Sequence, residues 1–483
     1  MIENIVFIGI LLTVVFIYSK NNPMGHPGDF RLRNFLNWFP MGLTYAFLYM
    51  GRYNLTVSKN ALGDLMPKEA FGIIFAAGTI TYAFSFLING PLTDRIGGKR
   101  AILIGAFGAG FMNIVLGLLT YLILVKNFAM NLTLAFSIVY SLNMYFQSFG
   151  AVSIVKVNAH WFHVKERGVF SGIFGTLISL GIFFAFDWGQ AIVGAMKTSA
   201  GELGFFQKAL RSLLYCDSYG VDNIWYVFLI PAALLIAFGV IEIFLLKDTP
   251  GEAGFADFDT ADASSDEMHV EYSALQLIKK ILTNPIILTI AAIEFCSGVV
   301  RNGIMHWYFI YANEAGIAGA AAFFKAHWGL LLCFAGVAGG FFAGTVSDKL
   351  FQSRRGPSAA FMYAMMSVAT VIMALILRAH PFALGVIVIF MSFCVIGVHG
   401  LLSGTATMDF GGRKGAATAV GIIDGFVYLG TGVQSICLGY ITAWNWNYWP
   451  VFLIPFTLIG TVLAIRIWHA LPDAVRKGAK VKK

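Results

Sequence analysis

Charged side chains are scarce in this chain: Asp, Glu, Lys and Arg make up only 12% of its 483 residues, against about a quarter in soluble domains. Hydrophobic residues reach 58% and the mean hydropathy is +0.75, which excludes a water-soluble core. Cysteine is also short. The five present are odd in number, and Cys296, Cys333, Cys394 and Cys437 fall inside apolar runs, so no disulfide framework is implied. A nucleotide-binding loop, a nucleophile elbow and a zinc signature are all missing, and His160 and His163 have no carboxylate or cysteine in step with them. Nothing in the pattern therefore calls for an enzyme, a cofactor or a metal. The net charge of +8 does not point to nucleic acid, because Lys and Arg lie in short clusters between apolar runs, as in the inside loops of a membrane protein.

What the chain does contain is a repeated apolar run of roughly 18 to 25 residues, the length of a membrane-crossing helix. We read twelve core spans, near 36–57, 71–89, 101–125, 132–160, 169–186, 224–246, 285–312, 328–346, 359–377, 382–405, 416–436 and 451–469. Arg95, Lys99 and Arg100, then His163, Lys165 and Arg167, then Lys349, Arg354 and Arg355, then Arg413 and Lys414, and the tail 476–483 fall in alternate loops. Those loops are cytoplasmic by the positive-inside rule. The long opposite loop, 187–222, balances Lys197, Lys208 and Arg211 with Glu202, Asp217 and Asp222. Between the sixth and seventh spans, 248–271 is rich in Asp, Glu, Ser and Ala and reads as a solvated linker.

The expected organisation is an extension 1–34, a six-helix half 35–247, a cytoplasmic linker 248–284, a second six-helix half 285–470 and a basic cytoplasmic tail 471–483. The extension carries an apolar run, 5–18, with neither a basic n-region nor an A-x-A site, so it does not read as a cleaved signal. An extra transmembrane helix with its N-terminus outside and a true start at Met24 both fit this pattern.

An internal repeat organises the spans. The segment after the second span follows G-x-x-[ST]-D-[RK] at 90–95 and continues with Lys99 and Arg100; the segment after the eighth does the same at 344–349 and continues with Arg354 and Arg355. Glu166-Arg167-Gly168 opens the fifth span as Arg413-Lys414-Gly415 opens the eleventh. Two six-span units laid end to end account for both matches. In each motif the acid, Asp94 or Asp348, can cap or neutralise a helix N-terminus, and the cation, Arg95 or Lys349, anchors the loop. The doubled motif resembles the signature of the major facilitator superfamily, which implies an all-α membrane fold of two pseudo-symmetric halves that rock about a midplane site.

Cations inside spans are costly and mark function by default. Arg52 in the first span and Arg301 in the seventh are repeat equivalents at similar depth. One reading is structural glue, with Glu294 or Asp424 as the partner carboxylate. The other is a pair of guanidinium forks facing each other across a central cavity to hold a phosphoryl group, for which the planar, permanently charged Arg side chain is suited. His160, at the inner end of the fourth span, titrates near the second ionisation of a phosphate monoester and can assist, or sit as an interfacial residue beside Trp161. Tyr45 and Tyr49, one turn apart, and Tyr82 fall on cavity-lining spans or act as packing.

These residues resemble the organophosphate:phosphate antiporter family from about 36 to 469. The likeness rests on Tyr45, Tyr49, Arg52 and Asn54, on Gln147 followed by the segment 160–168, on Lys247-Asp248-Thr249-Pro250, on Arg301, Gly303 and Trp307, on 347–351, and on 416–418 through Tyr428 and Gly430. The resemblance implies that Arg52 and Arg301 bind substrate, that His160 is the inner-cavity histidine, and that Tyr45, Tyr49, Tyr82 and Tyr428 surround the site. It also implies exchange of inorganic phosphate for a phosphorylated organic anion such as glycerol 3-phosphate or a sugar phosphate, by a bacterial inner-membrane monomer. Four positions depart from the family pattern. Tyr53 and Phe86 replace lysines, His306 replaces an acid, and Asp424 stands where a small residue is usual. Asp424 is therefore a candidate coupling group. A proton-coupled symporter of organic anions and a sugar-phosphate sensor of the same fold are the alternatives.

Overall fold

The computed structural model describes residues 2–198, 201, 203–214, 220–258, 279, 282–351, 354–406 and 416–470. Arg413, Lys414, the linker over 259–278 and the 471–483 tail lie outside the described residues, as do the side chains of Lys165, Arg167 and Asp348. Among the described residues there are helices and no strands. Lipid offers backbone groups no partner, so each segment must bond to itself.

By packing, the chain divides into two compact units. The first comprises Met1–Pro67, Pro91–Asp262 and Ala326–Cys333; the second comprises Lys68–Gly90, Ala263–Lys325 and Phe334–Lys483. The helices that position the candidate residues of the first are α1 (Ile2–Lys20), α2 (Gly28–Leu62), α4 (Gly98–Lys126), α5 (Leu132–Trp161), α6 (Val164–Phe183), α7 (Gly189–Met196), α8 (Phe205–Leu213) and α9 (Tyr226–Leu245), with part of α3 (Lys68–Ile96). The second unit holds the rest of α3, then α10 (Pro285–Met305), α11 (Trp307–Glu314), most of α12 (Trp328–Thr345), α13 (Arg355–Ile376), α14 (Pro381–His399), α15 (Ala416–Trp444) and α16 (Tyr448–Arg466). Eleven of the described helices are long and apolar enough to cross a membrane. Large apolar side chains such as Phe111, Phe244, Phe341 and Leu375 are exposed, as they are on helices whose solvent is hydrocarbon.

Local signals set several helix ends. Asn131 caps α5 by accepting the Leu134 N–H at 3.0 Å, and Asn284 caps α10 by accepting from Ile286 N–H at 3.0 Å, with Pro285 in the first turn where no amide donor is needed. At Gly97 the backbone turns to φ 87°, a left-handed conformation that only glycine adopts without strain, and its N–H closes α3 on Thr93 O at 3.0 Å.

Three expectations need correction. The 90–96 segment, placed by the sequence in the loop after the second span, is the last part of α3, which carries Pro91 inside it. The amide at the start of α4 is capped not by Asp94 but by Asp248, whose Oδ1 accepts the Lys99 N–H at 2.7 Å. The fifth span does not end at 186 but runs on through a π-helical turn, Phe184–Trp188, into α7. Asp187, which looked like the first residue of an external loop, is buried at 4% exposure. Its carboxylate accepts the N–H groups of Gly329 and Leu330 at 2.7 and 2.9 Å, at the positive end of α12. The 5–18 run is a helix, α1, whose Phe7 packs against Phe184 and Trp188 at 5.4 and 5.7 Å between ring centroids.

Candidate functional site

In the first unit Arg52 is completely buried, at 0% exposure, on α2. Its Nε–H donates to Gln147 Oε1 at 2.9 Å, and its guanidinium carbon lies 4.7 Å from the Tyr49 ring centroid and 5.8 Å from that of Tyr53, within cation–π range. An amide ladder stands behind it. Gln147 donates to Asn143 Oδ1 at 3.2 Å, as does Asn113, also at 3.2 Å; Asn54 donates to Asn113 Oδ1 at 2.8 Å. Asn143 and Asn113 both donate to Gly51 O at 3.1 Å, and Tyr140 Oη–H donates to Arg52 O at 3.0 Å. In a low-dielectric interior such amides must satisfy one another, and here they orient the guanidinium through Gln147. Tyr45 continues the aromatic row, edge-on to Tyr49 at 5.4 Å, and Tyr49 meets Tyr53 at 5.6 Å.

The second unit surrounds Arg301 differently. Helices α10 and α15 touch backbone to backbone at Gly298, where a Cβ would run into the Val427 carbonyl; this close approach is what small residues give membrane helices. It brings Asp424 within electrostatic reach of Arg301, Glu294 and His399. Ser403 Oγ–H donates to Asp424 Oδ1. Glu294, at 0% exposure, pairs through Oε2 with His399 Nδ1 at 2.8 Å. Tyr82 and Tyr428 pack at 4.5 Å, and Phe86, in place of a family lysine, lies 4.6 Å from Tyr82. His306 is buried against the Phe75 ring at 4.5 Å.

The residues singled out from the sequence therefore form two groups, Arg52 with Tyr45 and Tyr49, and Arg301 with Asp424, while Tyr82 and Tyr428 join in an aromatic contact. His160 is exposed near the end of α5, separated from Gln147 by roughly 20 Å of helix at 1.5 Å per residue. Asp94 accepts an ion pair from Lys156 Nζ at 2.9 Å. Arg95 lies in the last turn of α3, and Lys349 in the π-helical turn Val346–Leu350 that ends α12. Sequence reading did not assign roles to Asn113, Asn143 or His399. The signal was present: Asn143 and Gln147 are polar residues one turn apart inside an apolar run. Among the described residues no group of three or more His, Cys, Asp or Glu is arranged to hold a metal ion.

Comparison with known proteins decides the family. The model described as "Major Facilitator Superfamily" matches residues 41–435. The chain belongs to the Major Facilitator Superfamily. A "Glycerol-3-phosphate transporter" of Bacillus subtilis is 24% identical over 462 residues, covering 91% of this chain and 92% of that protein. A "Probable hexose phosphate transport protein" of Chlamydia pneumoniae is 24% identical over 470 residues, 93% of each. A "Membrane sensor protein UhpC" of Salmonella typhimurium is 25% identical over 422 residues, 84% of this chain and 85% of that one. Among solved structures, a bacterial homologue of the human lysosomal transporter Spinster, inward-facing and unoccupied, superposes with TM-score 0.71 at 14% identity over 92% of this chain and 98% of that one, which establishes the shared fold. This superfamily member is a multi-pass membrane transport protein and not an enzyme.

Proposed function

We propose that this protein is a secondary carrier that exchanges a phosphorylated organic anion, glycerol 3-phosphate or a sugar phosphate, for inorganic phosphate by alternating access. Arg52 and Arg301 are its phosphate anchors. The observation that carries this reading is the treatment of Arg52: a permanently charged fork, fully buried, held by an amide and two rings. A phosphate monoester at about −1.5 to −2 charge matches such a fork and offsets the cost of burying it. Relatives named as glycerol-3-phosphate and hexose phosphate transporters support the same cargo class. Tyr45 and Tyr49 line the approach to Arg52, Tyr82 and Tyr428 the neighbourhood of Arg301, and His160 meets phosphate nearer the helix end. Asp94, Arg95, Asp348 and Lys349 act in the conformational change, the host membrane is a bacterial inner membrane, and the working unit is a monomer.

The test is counterflow. Proteoliposomes loaded with inorganic phosphate take up labelled glycerol 3-phosphate or glucose 6-phosphate much faster than empty ones. Equal uptake by empty vesicles overturns the exchange mechanism. The relatives named as membrane sensors favour a second reading, a sugar-phosphate receptor of the same fold; ligand binding in detergent with no counterflow for any phosphate ester would select it.

A further inference from the structure

The Arg301 neighbourhood holds more negative charge than an anion site needs. Asp424 lies within electrostatic reach of Arg301 and of a second carboxylate, Glu294, and His399 is the group that can change the balance. Among the described residues, the elements packed around Glu294 contribute the following other titratable groups. Helix α10 itself carries Cys296 and Arg301, with His306 just past its end; α15 carries Tyr428, Cys437 and Tyr440 besides Asp424, and α14 carries Cys394. Helix α13 brings Tyr363, whose hydroxyl donates to Ile293 O at 2.8 Å. Helix α11 has Tyr308, Tyr311 and Glu314, the last paired with Lys68 at 2.8 Å, and α16 has Tyr448 and, in its last turn, Arg466.

With His399 neutral this set carries one net negative charge, which opposes a dianion at Arg301. Adding one proton to the imidazole gives Arg301 and His399 against Glu294 and Asp424, an electrically balanced set. The geometry suits that proton. Nδ1 of His399 already faces Glu294 Oε2 at 2.8 Å, and the His399 side chain keeps 24% exposure while Glu294 has none, so the imidazole is the member of the pair that can be reached from outside the packed helices. The other Glu294 oxygen, Oε1, is buried with no hydrogen-bond partner among the described residues. A carboxylate so poorly satisfied is costly, and an imidazolium beside it lowers that cost.

We infer that Glu294, His399 and Asp424 form a proton site that fills together with the anion at Arg301, so that cargo binding takes up a proton from solvent onto His399. This rests on the anion-binding reading of Arg301. A proton then rides with the anion in both directions, so one-for-one exchange moves no net proton, while anion binding at each face follows the pH of that face.

Titration calorimetry of the purified full chain with glycerol 3-phosphate, in buffers of different ionisation heat at about pH 8, where the ester is already a dianion, reads the protons exchanged. The expected result is uptake of about one proton per ligand bound, with affinity falling on the order of tenfold per pH unit above the working range. In His399→Gln the proton count drops towards zero and the pH dependence flattens. Binding with no buffer dependence in the unmodified protein overturns the proton site and leaves the carrier reading standing. A His399→Gln protein that binds and still takes up a full proton also overturns it. Absence of any binding of glycerol 3-phosphate, glucose 6-phosphate or inorganic phosphate removes the carrier reading and the proton site with it.

Discussion

Arg52 and Arg301 occupy equivalent places in the sequence repeat, yet their surroundings share almost nothing. Arg52 is bonded to a glutamine at the end of an amide ladder and lies against two tyrosine rings. Arg301 lies among Asp424, Glu294 and His399. The bonded partner of the first, Gln147, carries no ionisable group, whereas the second lies near a carboxylate that itself neighbours an imidazole. The first is suited to holding an anion at any pH, the second to deciding when the anion is held.

The comparison is broken most severely at Arg52. Arg52→Lys keeps the charge but loses the bonded fork, and two charge-assisted hydrogen bonds at about 1.5 to 3 kcal/mol each imply a loss of phosphate exchange on the order of 100-fold or more. The protein should still fold and insert, checked by gel filtration beside the counterflow assay; rapid exchange by this variant would remove Arg52 from the binding role.

Gln147→Glu is the sharper experiment, since it gives Arg52 the carboxylate that Arg301 already has nearby. We expect affinity for inorganic phosphate to fall on the order of tenfold as the guanidinium is neutralised, with a pH dependence that the parent Arg52 site lacks. Unchanged affinity would mean that the two neighbourhoods do not differ in the way their partners suggest.

Asp424→Asn moves the second neighbourhood towards the first. Removing one of two carboxylates should strengthen anion binding roughly three- to tenfold and widen the difference between phosphate-loaded and empty vesicles, because the empty carrier loses part of its neutralisation. Weaker binding would show Asp424 acting on the cargo rather than against it.

The smallest effect belongs to Asp94. Its pair with Lys156 is exposed, at 69% for the acid and 34% for the lysine, and such pairs contribute about 0.2 to 1 kcal/mol. Asp94→Ala should slow turnover no more than about fivefold while leaving substrate affinity unchanged, measured as counterflow rate against equilibrium binding. Equal loss of both would place Asp94 in the binding machinery.

Much of this was legible from residue pattern. Apolar runs of membrane length, the doubled motif at 90–95 and 344–349, and two arginines inside spans led to the superfamily and to the candidate anchors. What stayed hidden depended on partners remote in sequence. Asp187 and Asp248 read as loop residues because nothing near them in the chain reveals the helix ends whose amides they accept, at 329–330 and at 99. Glu294 was recognisable as a costly charge, but its choice of His399 over an arginine is decided by the packing of α10 on α14. The amide ladder was hidden for another reason. Asn and Gln are tolerated singly in spans, and only three assembled helices turn four such residues into one network.

That ladder also bears on how the chain is made. Helix α2, which holds the first expected span, is not among the eleven described helices apolar enough to cross on their own composition, and it carries Arg52, Asn54 and Lys59 in its buried part. The groups that satisfy Arg52 and Asn54 come from α4 and α5, which the ribosome delivers later. Until Gln147 has emerged, the Arg52 guanidinium lacks that bond, so release of α2 sideways into the bilayer should wait for the three helices that follow it. The first long helix to be synthesised is in that sense held back until the helix carrying Gln147 arrives.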